Sequence, residues 1–256
     1  MDAWIEFGRG PLFRLCFTLM VLGLARIAVL TVIGMVEALK KNEDKIVPWR
    51  ELFNKTFTWL VPVTGLFRTR PVYSLVSFLF HIGLIITPLF FTAHVLLWKR
   101  SVGFGWFTLP QSLADYLTLT VIVGGLLLFL MRVLYGPARA ISRKQDYVWP
   151  LLLVIPFLTG YLCVNGSISA ATYRWMMLMH VLTGNLIMVM IPFTKIAHCI
   201  LIPFSQLVTG IGWKFPRGAG DLVIETLGYK DRPTWVEKPR LGCESMDRVE
   251  READDK

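Results

Sequence analysis

The sequence predicts an all-α integral membrane protein: a five-helix bundle with an interfacial helix in its first cytoplasmic loop. Three observations predict it. Of 256 residues, 54% are hydrophobic and only 18% charged, against about 25% charged in a soluble domain. The mean hydropathy is +0.54, more apolar side chain than a single soluble core of this size hides. Five stretches, about 11–38, 76–98, 113–136, 148–166 and 173–204, approach or exceed the roughly 20 mostly apolar residues that a bilayer crossing requires. A soluble globule and a disordered chain are both excluded.

The elements follow in order. Residues 1–10 hold Asp2 and Glu6 against one Arg9, so there is no basic leader. The apolar stretch behind them is too long for a secretory signal core, and Arg26 interrupts it; it reads as a retained first span. Backbone groups in lipid must pair within their own segment, so every span is helical. The loop 39–75 carries Lys40, Lys41, Lys45, Arg50, Lys55, Arg68 and Arg70, and the loop 137–147 carries Arg139, Arg143 and Lys144. Arg9, Lys99, Arg100 and Arg174 lie on the other side. That bias puts the N-terminus outside and the C-terminus in the cytoplasm. In the first loop Trp49, Leu52, Phe53, Phe57 and Leu60 recur at helical spacing after Pro48, with Arg50, Glu51, Asn54 and Lys55 on the opposite face. This pattern suits a short helix lying on the membrane surface or docking a partner. The net charge of +9 sits between apolar segments, so it has a membrane explanation and argues for no nucleic-acid partner. Residues 1–212 read as the membrane domain. Residues 213–256 hold 9 basic against 10 acidic residues and read as a cytoplasmic arm laid over another subunit. Four cysteines without a CxxC pair exclude a local zinc or iron–sulfur motif; Cys199 reads as a small buried residue.

The chain has four histidines, His81, His94, His180 and His198, and all fall in predicted spans, two in the second and two in the fifth. Ionisable groups inside a bilayer are costly and usually functional. The two spans run antiparallel. His81 therefore lies level with His198 near the inner face, and His94 level with His180 near the outer. Two imidazoles from facing helices at each of two depths is the arrangement of bis-histidine haem ligation, stacked twice. On an ideal helix the 18 steps from His180 to His198 are five turns on one face, about 27 Å of rise. The 13 steps from His81 to His94 leave those two about 140° out of phase. Either Pro88 distorts the second helix and re-aims one of them, or the haem planes are rotated. Pro192 has the means to shorten the path in the fifth. Gly83, Gly124, Gly125, Gly160 and Gly184 admit a close porphyrin or ordinary helix packing, with Gly184, one turn from His180, the best functional case.

These residues carry a resemblance. The chain is similar, over about residues 10–205, to the gamma subunit of respiratory nitrate reductase and its relatives, five-span di-haem b-type cytochromes. The His180–His198 spacing matches that family, while the second-helix pair is wider than in the nitrate reductase branch. The stretch FRTRPVYSLVSFLFHIGLIITPLFFTAHVLLW (67–98) looks more like the branch in membrane redox complexes of sulfate reducers and in membrane heterodisulfide-reductase-type complexes. The resemblance implies an outer haem b on His94 and His180 and an inner haem b on His81 and His198. It implies menaquinone as exchangeable electron carrier, a cytoplasmic iron–sulfur partner, a periplasmic multihaem cytochrome c, and the cytoplasmic (inner) membrane as location.

The remaining charges fit that frame. Arg26, mid-span without an acidic neighbour in the membrane, needs an anion such as a propionate. Arg174 is a candidate for an outer propionate, and Arg68 and Arg70 for an inner one. Arg132 and Lys195 read as interface markers. Lys99, with Arg100, Trp98 and Tyr173, is the candidate hydrogen-bond donor to a quinone. The chain holds no substrate-reducing centre and would be an electron-transfer subunit. The rival expectation is a haem-free membrane anchor or a subunit handling protons or a metal.

Overall fold

The computed structural model describes residues 1–41, 49–60, 70–201, 204, 208–209 and 219–228. Among them every regular element is helical. In chain order these are α1 (Asp2–Arg9), α2 (Pro11–Lys41), α3 (Trp49–Leu60), α4 (Pro71–Phe90), α5 (Thr92–Val102), α6 (Gln111–Leu134), α7 (Gly136–Ala140), α8 (Lys144–Asn165), α9 (Ala170–Met190) and α10 (Ala219–Thr226). Two 3-10 turns, Ile191–Phe193 and Lys195–Ala197, follow α9.

Five helical stretches are long and apolar enough to cross a membrane: Asp2–Lys41, Pro71–Phe90, Gln111–Leu134, Lys144–Asn165 and Ala170–Phe193. Their apolar side chains mostly face outward. The most apolar window of the first is 0% buried, and that of each other span 22% buried. Leu15, Leu19, Leu22, Val29 and Ile33 stand exposed along α2, a stripe that water does not tolerate but lipid does. In α3 Leu52 is buried, while Trp49, Phe53 and Phe57 are exposed.

The centre of the bundle is α4, α6 and α8, where Phe80, Val121, Leu128, Leu153 and Phe157 form the buried cluster. Three glycines set these distances. A Cβ on Gly83 would stand 2.6 Å from the Leu117 carbonyl oxygen, and one on Gly125 2.6 Å from Val154. Gly124 lies against Phe80. All three therefore serve helix packing, the small-residue contact that membrane bundles use. The helix α9 packs on α8 and α2, with α1 folded against it.

Two spans depart from the continuous helices expected over 76–98 and 173–204. The second divides at Phe91, whose φ −67° and ψ 134° are extended, three residues beyond Pro88. The Leu89 carbonyl accepts the Trp106 indole N–H at 2.8 Å and the Phe90 carbonyl accepts the Leu109 N–H at 3.0 Å. The fifth ends as α-helix at Met190, because Pro192 has no N–H to give the Met188 carbonyl. The Ile191 N–H serves both Ile187 and Met188 instead. The chain then turns through its two 3-10 segments, so the five-turn, single-face relation between His180 and His198 does not hold. A Cβ on Gly23 of α2 would stand 2.6 Å from Pro192, so α2 braces this turn closely.

Lys45, Pro48, Arg68, Cys243 and most of the predicted arm 213–256 lie outside the described residues; within the arm, α10 is helical. The glycine contacts give a paired expectation. Gly83→Val should destabilise the detergent-solubilised protein by about 1–3 kcal/mol through overpacking. Gly184→Ala, with nothing within 4 Å of its Cβ, should leave the thermal transition unchanged.

Candidate functional site

The structure brings the four histidines together in two pairs. His94 of α5 faces His180 of α9, with ring centres 5.9 Å apart and planes 5° from parallel. His81 of α4 faces His198, just beyond the second 3-10 turn, with ring centres 6.0 Å apart and planes at 77°. The division of the second span at Phe91 lets His94 and His81 share this side despite their phase on an ideal helix.

All four rings are oriented by the same device. The Nδ1 of His81 lies 2.7 Å from the Ser77 carbonyl oxygen, that of His180 2.7 Å from Pro156, that of His198 2.7 Å from Lys195, and that of His94 3.4 Å from Thr87. A carbonyl only accepts, so each Nδ1 carries the proton and donates it. In the neutral ring Nε2 is then the unprotonated nitrogen, with its lone pair available to a metal.

The spacing fits a shared ligand atom. Two imidazole nitrogens each about 2 Å from one metal put the ring centres on the order of 6 Å apart. The helices α4 and α9 are not among the closely packed pairs of the described residues; the ring pairs join α5 to α9 and α4 to the segment beyond the second 3-10 turn. Among the described residues no group of three or more His, Cys, Asp or Glu converges. Each pair thus offers two donors, and the remaining coordination would have to come with the ligand.

Gly160 of α8 is the glycine this site requires. A Cβ there would stand 2.9 Å from His180 Cε1 and 3.0 Å from its Nδ1, so only glycine lets the ring reach the Pro156 carbonyl. Gly184 faces open space within 4 Å.

The expected cations are distributed differently. Arg174 makes an ion pair with Asp2 of α1 at 3.7 Å. Arg26 is exposed on α2. Arg70 stacks over Tyr135 at 4.6 Å, and its guanidinium donates to the Tyr135 hydroxyl at 3.2 Å. Arg132 and Lys195 do more than mark an interface: both pair with Asp146, at 3.5 and 2.6 Å. Cys199 is exposed rather than buried, because the segment has left the bundle's packed face at the Pro192 turn. Lys99 is exposed, with its stem against Gly105. Beside it a cleft of about 300 Å³ is lined by Phe13, Arg14, Phe17, Thr18, Ser101 and Val102, and Trp98 packs edge-on against Phe13 and Phe17.

One residue escapes the sequence reading. Arg9, at the end of α1, is half-buried and directly follows Gly8, which is held on α9 near His180. Asn185, one turn beyond His180, holds α1 there by donating to the Gly8 carbonyl at 2.9 Å, while Gly8 sits tightly on Val181. A buried asparagine five residues from a histidine was the available signal.

Fold and site together define a class: among the described residues, an all-helical fold with five membrane-length helical stretches that brings four histidines together in two pairs. A protein of Nitratidesulfovibrio vulgaris (strain Hildenborough) is 32% identical to this chain over 161 residues, 62% of this chain and 70% of that protein. The chain belongs to that protein's family, and the relative's name, "Protein", states no activity. No protein-family profile and no solved structure matches the chain.

The hold on α1 is testable. Asn185→Ala should leave the Gly8 carbonyl without its donor and loosen α1 by about 1–3 kcal/mol. Hydrogen exchange over residues 2–9 should accelerate while exchange in α6 stays unchanged.

Proposed function

We propose that this protein is a di-haem b-type cytochrome subunit that carries electrons across the cytoplasmic (inner) membrane, between menaquinone and partner redox subunits. The observation that carries the reading is the two imidazole pairs, each with ring centres 5.9–6.0 Å apart and every Nδ1 on a backbone carbonyl. Two nitrogen donors per level, with no further His, Cys, Asp or Glu converging among the described residues, suit a metal whose equatorial ligands arrive with it, as in a porphyrin. The chain has no CxxCH sequence, so attachment would rest on these ligands, as for haem b.

Bound haem would supply one-electron transfer at two depths of the bilayer. The protein's own residues do the rest. His94 and His180 would hold the outer group, and His81 and His198 the inner. Gly160 makes room for the His180 ring, and Arg9 places a positive charge at the outer pair, where a propionate would be neutralised. Arg174 is engaged by Asp2 and Arg26 faces outward, so we rank Arg9 ahead of both for this role. The cleft beside Trp98 offers an aromatic slot with Arg14, Thr18 and Ser101 at its rim, a setting suited to a quinone head group. Lys99 lies outside the lining residues and becomes the second choice. The basic loops favour an N-terminus outside and the exposed aromatics of α3 lying in the inner interface. A cytoplasmic iron–sulfur subunit, with the arm 213–256 laid over it, and a periplasmic multihaem cytochrome c are the partners this role calls for.

The purified chain or its complex should give a reduced-minus-oxidised spectrum of b type with two haems per chain. A folded protein without haem would overturn the reading and favour an anchor or proton-handling subunit. His94→Ala or His180→Ala should remove one haem, and His81→Ala or His198→Ala the other. The two should also differ in electron paramagnetic resonance. Near-parallel imidazoles on ferric low-spin iron give a rhombic signal, and near-perpendicular ones a single, strongly anisotropic feature. The signal lost with His180 should be the rhombic one. Gly160→Ala, by displacing the His180 ring, should lower occupancy of that same haem alone, read as haem per chain.

A further inference from the structure

His81, His94 and His180 sit within regular α-helix. His198 opens a new helical stretch directly after two 3-10 turns and is exposed, so its direction depends on how the turn before it is held rather than on close packing. Its Nδ1–H donates to the Lys195 carbonyl at 2.7 Å, and that carbonyl is held through the Lys195 side chain. The ammonium lies 2.6 and 2.7 Å from the two carboxylate oxygens of Asp146. Asp146 is itself fixed from two other directions. It accepts the Arg143 N–H at 2.8 Å, closing the first turn of α8, and Arg132 of α6 approaches within 3.5 Å. Arg132 also reaches the Ser142 hydroxyl at 3.4 Å. The carboxylate is only 10% exposed. A lone exposed ion pair orients little. Here one largely buried carboxylate ties α6, the start of α8 and the turn that bears His198.

We propose that Asp146 is a positioning residue for the inner haem: acting through Lys195, it sets the direction of the His198 ring and so its near-perpendicular relation to His81. The inference rests on the di-haem reading and goes beyond it, since no motif marks Asp146 as part of a histidine site. The role is that of an outer group that orients a ligand it does not touch.

The test uses the full chain, purified with its haems. Lys195→Met removes the link but leaves the Asp146 bond to the Arg143 N–H, so α8 keeps its cap. The strongly anisotropic signal should move toward the rhombic form and the midpoint potential of that haem should shift, while the other haem keeps both properties. Lys195→Arg should restore the wild-type signal. Asp146→Asn should reproduce the Lys195→Met effect, and the double variant should add nothing to it, as expected for two residues acting as one unit. An unchanged inner signal in a two-haem Lys195→Met protein would overturn the inference and leave the di-haem reading standing, as would equal changes in both haems. A wild-type chain without haem would overturn the reading itself, and the inference with it.

Discussion

Everything here depends on keeping backbone polar groups paired where a helix breaks inside an apolar bundle. Leaving an N–H or carbonyl unpaired in hydrocarbon costs several kcal/mol, which is why spanning segments are normally uninterrupted. This chain interrupts two of them, one just after Pro88 and one just before Pro192, and each break is closed locally. At Phe91 the loop between α5 and α6 supplies the Trp106 indole and the Leu109 N–H to the last carbonyls of α4. After Met190 a shared Ile191 N–H and the 3-10 turns close the second. The breaks are therefore stable kinks with fixed geometry. They are also what lets His94 and His198 turn toward partners that straight helices would not present to them.

The spans were legible because twenty-residue apolar runs have one outcome in lipid. The histidine pairing was legible because antiparallel order alone ranks four residues by depth. Direction was another matter. Pro88 signalled a distortion, but the backbone leaves the helix at Phe91, where the Trp106 and Leu109 donors lie, a placement set by a loop more than ten residues downstream. The same-face relation of His180 and His198 along an ideal helix was not what brought them to their partners His94 and His81, since Pro192 ends the helix between them. Asp146 and Lys195 are 49 residues apart, and a contact of that range leaves no mark on local spacing. Arg9 was likewise hidden, because its position depends on α1 folding back onto Asn185.

The two pairs are unequal. His94 and His180 lie nearly parallel, with α1 folded over α9 beside them and Arg9 as a neighbouring charge. His198 is exposed, and the inner pair is crossed at 77°. Solvent exposure, nearby charge and ligand orientation all tune a haem, so a wire built on these pairs would have two different steps.

The hydrogen bonds also limit what the four rings can do with protons. A histidine that relays protons needs both ring nitrogens in contact with groups able to take or return a proton. In all four residues Nδ1 ends on a backbone carbonyl, which accepts a hydrogen bond but passes no proton on. Each ring is thus tied at Nδ1 to a backbone carbonyl, and the paired rings lie with their centres 5.9–6.0 Å apart. A relay would need them linked in series from one side of the membrane to the other. The structure instead brings them together level by level, in two separate pairs.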